Sequence, residues 1–120
     1  MKRIILALAM AASLVSGSAA VAGAIGGPAF VWREVVGAYQ WIEYRVAFRG
    51  GEWTTISVVG LTPGNLDLYV LDEFGNVIAA DITYVDNVCQ VTFYAAYPRV
   101  YTIRVVNRTA RASLFDILTN

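Results

Sequence analysis

The chain has 120 residues, 58% of them hydrophobic, with nine basic and nine acidic side chains, one cysteine and no histidine. Balanced charge leaves no electrostatic footprint for nucleic acid, and a single cysteine rules out an intramolecular disulfide. The lack of histidine removes the ordinary serine and cysteine triads and the ordinary zinc hydrolase sites.

Lys2 and Arg3 precede an apolar run from Ile4 to Val15, which is followed by the small residues Ser16 to Ala20 and then Val21 and Ala22. A basic start, a short apolar centre and small residues at the positions a signal peptidase reads are the layout of a secretory signal peptide, expected to be cleaved after Ala22. The apolar run is too short to cross a bilayer comfortably. The expectation is a helical leader over 1–22, one domain over 23–120, a secreted or periplasmic location, and no stable membrane insertion after cleavage. Loss of Lys2 and Arg3 leaves seven arginines against nine acids, a net charge of −2. Arg99, Arg104, Arg108 and Arg111 gather toward the carboxyl end. Cross-strand ion pairs explain them most simply, and a local anion or polysaccharide contact is the alternative.

From Phe30 onward, turn residues recur at Gly37, Gly50-Gly51, Pro63-Gly64, Gly75-Asn76, Asp86-Asn87, Pro98 and 107–110, separating runs of five to ten β-branched and aromatic residues. That spacing predicts an all-β fold, an antiparallel β-sandwich of jelly-roll-like form with about eight strands. The strands are placed near Phe30–Val36, Tyr39–Phe48, Trp53–Val59, Leu66–Leu71, Val77–Asp81, Val88–Tyr94, Val100–Val106 and Ser113–Leu118. Side-chain parity suggests three hairpins. A three-residue loop of Gly50, Gly51 and Glu52, with a glycine at positive φ, would join the second strand to the third and set Arg49 opposite Trp53. A five-residue loop over Asp72–Asn76 would set Val70 opposite Ile78 and Leu68 opposite Ala80. The segment before Val100 would let Phe93 face Tyr101, Val91 face Ile103 and Cys89 face Val105. Thr62-Pro63-Gly64-Asn65 has the residues of a type II turn. The inward set is then Ile42, Tyr44, Val46, Ile56, Val58, Leu68, Val70, Ile78, Val91, Phe93, Ile103, Val105, Phe115 and Ile117, with Cys89 as a small buried hydrophobe.

The segment from Gly50 to Asn120 resembles the bacterial pre-peptidase carboxy-terminal domain, a β-sandwich related to the collagen-binding modules of secreted collagenases. The resemblance is carried by Asp67-Leu68-Tyr69-Val70, by Asp72-Glu73-Phe74-Gly75-Asn76 and by Tyr101-Thr102-Ile103-Arg104-Val105. It implies a domain without catalysis of its own that assists secretion, folding or attachment to insoluble substrate. Asn65 stands where the family often has an acid, and Tyr97-Pro98-Arg99-Val100 replaces the usual glycine before the late tyrosine.

Two sets of residues are candidate sites. Trp41, Trp53, Tyr69, Tyr84, Tyr94 and Tyr97 fall on outward parity or in loops, where their rings can stack on sugars or anchor a protein. Packing over sheet edges is their structural explanation. Asn65, Asp67, Asp72 and Asp81 offer the oxygen ligands that calcium takes, without the spacing of a known calcium loop, so solvated turn acids are the simpler reading and no cofactor is expected. Asn107-Arg108-Thr109 is a formal glycosylation sequon. The function expected is a secreted, non-enzymatic accessory or binding module contacting extracellular polysaccharide or protein. The alternative is a structural envelope protein that self-associates through sheet edges.

Overall fold

Along Val88–Ala95 the side chains alternate between exposed and buried at every step, the period of a strand with one wet face and one dry one. The computed structural model describes residues 3–6, 29–83 and 87–120, and no helix occurs among them. The strands are β1 (Arg3–Leu6), β2 (Phe30–Val36), β3 (Trp41–Phe48), β4 (Glu52–Gly60), β5 (Leu66–Leu71), β6 (Val77–Asp81), β7 (Val88–Ala95), β8 (Arg99–Asn107) and β9 (Ser113–Thr119). Each of the eight strands expected from the sequence is present, with ends within two residues.

They form two sheets, a five-stranded one in the order β1-β3-β8-β5-β6 and a four-stranded one in the order β2-β9-β4-β7. Leaving out β1 and counting from β2, the sheets contain strands 2-7-4-5 and 1-8-3-6, the order of a double Greek key, so the sandwich is a jelly roll. Residues 1–2 and 7–28, most of the expected helical leader, lie outside the described residues. Its remaining part, Arg3–Leu6, is a strand running parallel to β3 from Arg3 opposite Trp41 to Leu6 opposite Tyr44. An apolar run serves either conformation, and the edge of β3 offers it unpaired backbone groups.

Jelly-roll topology sends β3 and β4, and likewise β7 and β8, to opposite sheets, which corrects two of the three expected hairpins. The β3 strand pairs with β8, whereas β4 pairs with β7 and β9, so the Gly50-Gly51 segment crosses between layers. Gly51 does take φ +75, and a Cβ on Gly50 would lie 2.5 Å from Cδ of Pro98, a close approach that only glycine permits. Trp53 stands opposite Tyr94 instead of Arg49, and Arg49 forms an ion pair with Glu52. The β7–β8 hairpin is likewise absent. Phe93 and Tyr101 meet across the core, with ring centroids 5.4 Å apart, rather than along a ladder. Gly64 is not at positive φ, so the Pro63-Gly64 crossing is no type II turn.

The β5–β6 hairpin does form, with the five-residue loop over Asp72–Asn76 and Gly75 at φ +82. Its register differs by one position, because a bulge pairs Val70 with Ala79 and Leu71 with Val77. Ile78 is the extra residue and is exposed, while Ala79 packs on the core. All other members of the expected inward set are buried, as is Cys89, and they are joined by Ala29, Val36, Phe48, Leu66, Ala95 and Tyr101. The thiol of Cys89 donates to the carbonyl of Leu66 at 3.0 Å inside this core.

Asn107 ties the layers together at one end and is fully buried. Its Nδ2 donates to the carbonyls of Val36, Gly37 and Arg111, and its Oδ1 accepts from the backbone N–H and hydroxyl of Thr109. The sequon asparagine is therefore spent on the fold, with no exposed amide to carry a sugar.

Candidate functional site on the five-stranded sheet

Because Ile42, Tyr44 and Val46 point inward, the alternate residues Trp41, Glu43 and Arg45 of β3 lie on the outer face of the five-stranded sheet. The same rule brings Thr102, Arg104 and Val106 of β8 and Asp67, Tyr69 and Leu71 of β5 to that face. Register then sets the neighbours. One row runs Glu43, Arg104, Tyr69 and the next runs Trp41, Val106, Asp67. Arg108, two residues beyond Val106, ends the line.

Two ion pairs organise this face. Nε of Arg104 donates to Oε2 of Glu43 at 2.5 Å, and Nε of Arg108 donates to Oδ2 of Asp67 at 2.7 Å. The carboxylates form the buried half of each pair, with side chains only 5% and 9% exposed, and the guanidiniums sit above them. Shielded carboxylates need such partners, since removing the guanidinium would leave a charge largely cut off from water and uncompensated. Nη2 of Arg108 also donates to the Tyr69 hydroxyl at 3.0 Å, and the Arg104 guanidinium lies 5.9 Å from the Trp41 ring centre. The hydrogen bond to Asp67 is the largest of the effects that hold Arg108 protonated beyond its already high ordinary range.

Two depressions adjoin on this surface and share Arg104. One, of about 340 Å³, is lined by Trp41, Tyr69, Val77, Arg104, Val106 and Arg108. The other, of about 310 Å³, includes Glu43, Arg45, Asp72, Glu73, Thr102 and Arg104. Aromatic and cationic groups dominate the first, and charges of both signs meet in the second.

The candidate aromatics divide between the two faces of the molecule. Trp41 and Tyr69 line the first depression. Trp53 and Tyr94, 63% and 51% exposed, pair edge-on across β4 and β7 on the opposite sheet, with centroids 5.5 Å apart. Tyr97 sits in the connection between β7 and β8, under the Arg99 guanidinium, and Tyr84 lies outside the described residues. Further exposed rings that parity did not select are the stacked Phe30 and Trp32 on β2, together with Tyr39 and Phe74. Arg104 and Arg108 were legible only as members of a basic cluster. Their outward parity beside Trp41 and Tyr69 was the signal that places them in a site.

The candidate calcium ligands are spread along the fold. Asn65 and Asp72 flank opposite ends of β5, roughly 20 Å apart at the usual rise per residue. Asp67 is held by Arg108. Asp72 closes its own loop, its Oδ1 accepting from the backbone N–H groups of Phe74 and Asn76, both at 2.9 Å, and its Oδ2 from the Asn76 side chain. Asp81 accepts from the hydroxyl and amide of Thr83 and from the amide of Gln90. Among the described residues no three His, Cys, Asp or Glu side chains gather as a metal site.

The loop bonds have a consequence in acid. The Asn76 amide bond leads the effects that hold the Asp72 carboxyl below its ordinary range, and the Thr83 hydroxyl does so for Asp81. A depressed folded pKa contributes stability that is complete above the unfolded value, near 3.8, and is lost as pH falls through the folded value. The thermal midpoint is accordingly expected to hold between about pH 5 and 7 and to fall below about pH 4. Melts of a variant carrying Asp72→Asn and Asp81→Asn should show a smaller acid-induced fall than the unsubstituted protein.

Solved structures share this fold. PliG from Aeromonas hydrophila, a periplasmic lysozyme inhibitor of g-type lysozyme, superposes with a TM-score of 0.62 at 14% identity, covering 99% of this chain and 96% of that one. The pre-peptidase C-terminal domain of a collagenase from Bacillus anthracis superposes with a TM-score of 0.58 at 11% identity, over 99% of this chain and 95% of that one. PliG from Salmonella Typhimurium gives 0.50 at 13% identity, over 78% and 89%. No family model and no curated protein matches the chain. The fold expected from Asp67-Leu68-Tyr69-Val70 and its neighbours is thus present, and the likeness extends well before Gly50.

Proposed function

We propose that the protein is a non-catalytic module acting outside the cytoplasm, which docks a protein partner on the outer face of its five-stranded sheet. The observation that carries this reading is the grouping of Trp41, Tyr69, Arg104 and Arg108 around one depression. Tryptophan, tyrosine and arginine dominate the energetic centres of protein interfaces, because they combine large contact area with directed polar groups. Here both guanidiniums are already oriented by buried carboxylates, which lowers the ordering cost of binding. The leader-like amino terminus supports an extracytoplasmic site of action, as does a fold shared with a periplasmic inhibitor. The absence of histidine and the inhibitory role named for PliG both favour binding over turnover.

A second reading places a polysaccharide on the opposite sheet, favoured by the exposed Trp53–Tyr94 pair, since flat rings stack on sugar faces. Retention of the protein on immobilised g-type lysozyme, collagen and peptidoglycan tests both readings. We expect a protein ligand to retain it, with Tyr69→Ala or Arg104→Ala weakening affinity about tenfold or more, as interface anchors do. Retention by peptidoglycan alone, lost in Trp53→Ala, would favour the second reading.

A further inference from the structure

Among the described residues, four of the six lining the depression between β3, β5 and β8 have polar side-chain groups, and each of these is a hydrogen-bond donor: Trp41, Tyr69, Arg104 and Arg108. The other two are Val77 and Val106, and among the described residues no carboxylate contributes to the lining. Glu43 and Asp67 neutralise the arginines from beneath and engage each one through Nε. A guanidinium has five N–H donors, so the terminal nitrogens of Arg104 and Nη1 of Arg108 are left for a ligand. The Tyr69 hydroxyl accepts from Nη2 of Arg108 and so keeps its own proton to donate. The Trp41 indole N–H is covered from solvent and has no acceptor among the described residues, and its ring lies beside the Arg104 guanidinium, so its signal reports on this depression.

We infer that this depression receives a carboxylate from an acidic segment of a protein partner, seated between Arg104 and Arg108 with the Tyr69 hydroxyl donating to it. The inference rests on the docking face proposed above and specifies its chemistry. A carboxylate matches the donors in geometry, because guanidinium and carboxylate planes fit one another. Arg104 and Arg108 are offset by Glu43 and Asp67, so the two pairs are together neutral and a monoanion meets less repulsion there than a phosphate dianion. Val77 and Val106 suit the aliphatic stem of Asp or Glu. A sugar acid would bring hydroxyl donors into a site whose lining offers few acceptors, leaving them unpaired.

The test is a nitrogen-15 NMR titration of the protein with a blocked hexaglutamate peptide, a hexaglutamine peptide of the same length, and polygalacturonate. Saturable shifts of the Arg104 and Arg108 Nε–H signals and of the Trp41 indole are expected with hexaglutamate and not with hexaglutamine. Arg108→Gln should weaken that binding at least fivefold while amide signals of the core strands stay in place, and Arg45→Gln on the same face should change it less than twofold. Shifts spread without saturation over Arg33, Arg49, Arg99 and Arg111 would overturn the inference, as would tighter binding of polygalacturonate. If hexaglutamate fails to bind while Tyr69→Ala still weakens docking of a protein ligand, the carboxylate is wrong and the docking face stands.

Discussion

Replacing Ile103 with alanine is expected to lower the unfolding free energy by about 2 to 5 kcal/mol, the range for removing a large aliphatic side chain from a packed core. Ile103 is fully buried on β8, the central strand of its sheet, with Tyr44 and Val70 as register neighbours on either side. Neighbours held on both flanks by strand pairing cannot collapse into the space, so most of the cavity persists. Since small domains are stable by only about 5 to 15 kcal/mol, the substitution removes a large share of the total. Ile78→Ala is the paired control. That side chain is 41% exposed on an edge strand, so its loss should cost under about 1 kcal/mol. Urea denaturation of the two variants thus tests the β6 bulge as well as the core, because the register expected from parity would bury Ile78.

Asn107→Asp is expected to be similarly damaging for a different reason. The amide nitrogen donates to three carbonyls, at 3.3, 3.1 and 2.6 Å, and a carboxylate there would turn an acceptor toward all three. Asn107→Ala removes the same three bonds, but the Gly37 carbonyl keeps the Gln40 amide and the Arg111 carbonyl keeps the Thr109 hydroxyl, so the loss should be smaller, about 1 to 3 kcal/mol for what is left buried and unpaired. Thr109→Ala removes one hydroxyl bond to Oδ1 and should cost about 1 kcal/mol. In denaturant titrations the order of loss should be aspartate, then alanine, then the Thr109 variant. An aspartate variant as stable as the unsubstituted protein would mean that Asn107 does not tie the two layers together.

Strand positions were readable from the chain because period-two alternation and turn residues are local signals. The pairing of those strands was not. Parity requires two strands of a hairpin to face the same side, yet two strands in opposite sheets of a sandwich must also face each other across the core. Phe93 and Tyr101 satisfy both conditions, so the expected contact is real while the expected ladder is not. Among the described strands only β5 and β6, consecutive in the chain and adjacent in one sheet, satisfy the hairpin rule literally. Their one-residue slip arises from a bulge, for which Val-Ile-Ala-Ala carries no local mark.

The site was legible in the same partial way. Outward parity identified Trp41 and Tyr69, but sequence distance hides that Arg104 stands between Glu43 and Tyr69, because that row combines β3, β8 and β5. Asp67 was read as a possible metal ligand for want of its partner. Arg108 lies forty-one positions further along the chain, and it reaches Asp67 only once Asn107 has ended β8.

The most direct test compares two double variants for affinity to whichever protein ligand retains the unsubstituted chain. Tyr69→Ala with Arg104→Ala alters the outer face of the five-stranded sheet, and Trp53→Ala with Tyr94→Ala alters the opposite one. Affinity should fall about tenfold or more in the first and stay within about twofold in the second, if the first contains the energetic centre of the interface. Loss confined to the Trp53 and Tyr94 variant would contradict the account and move the binding surface to the other side of the sandwich.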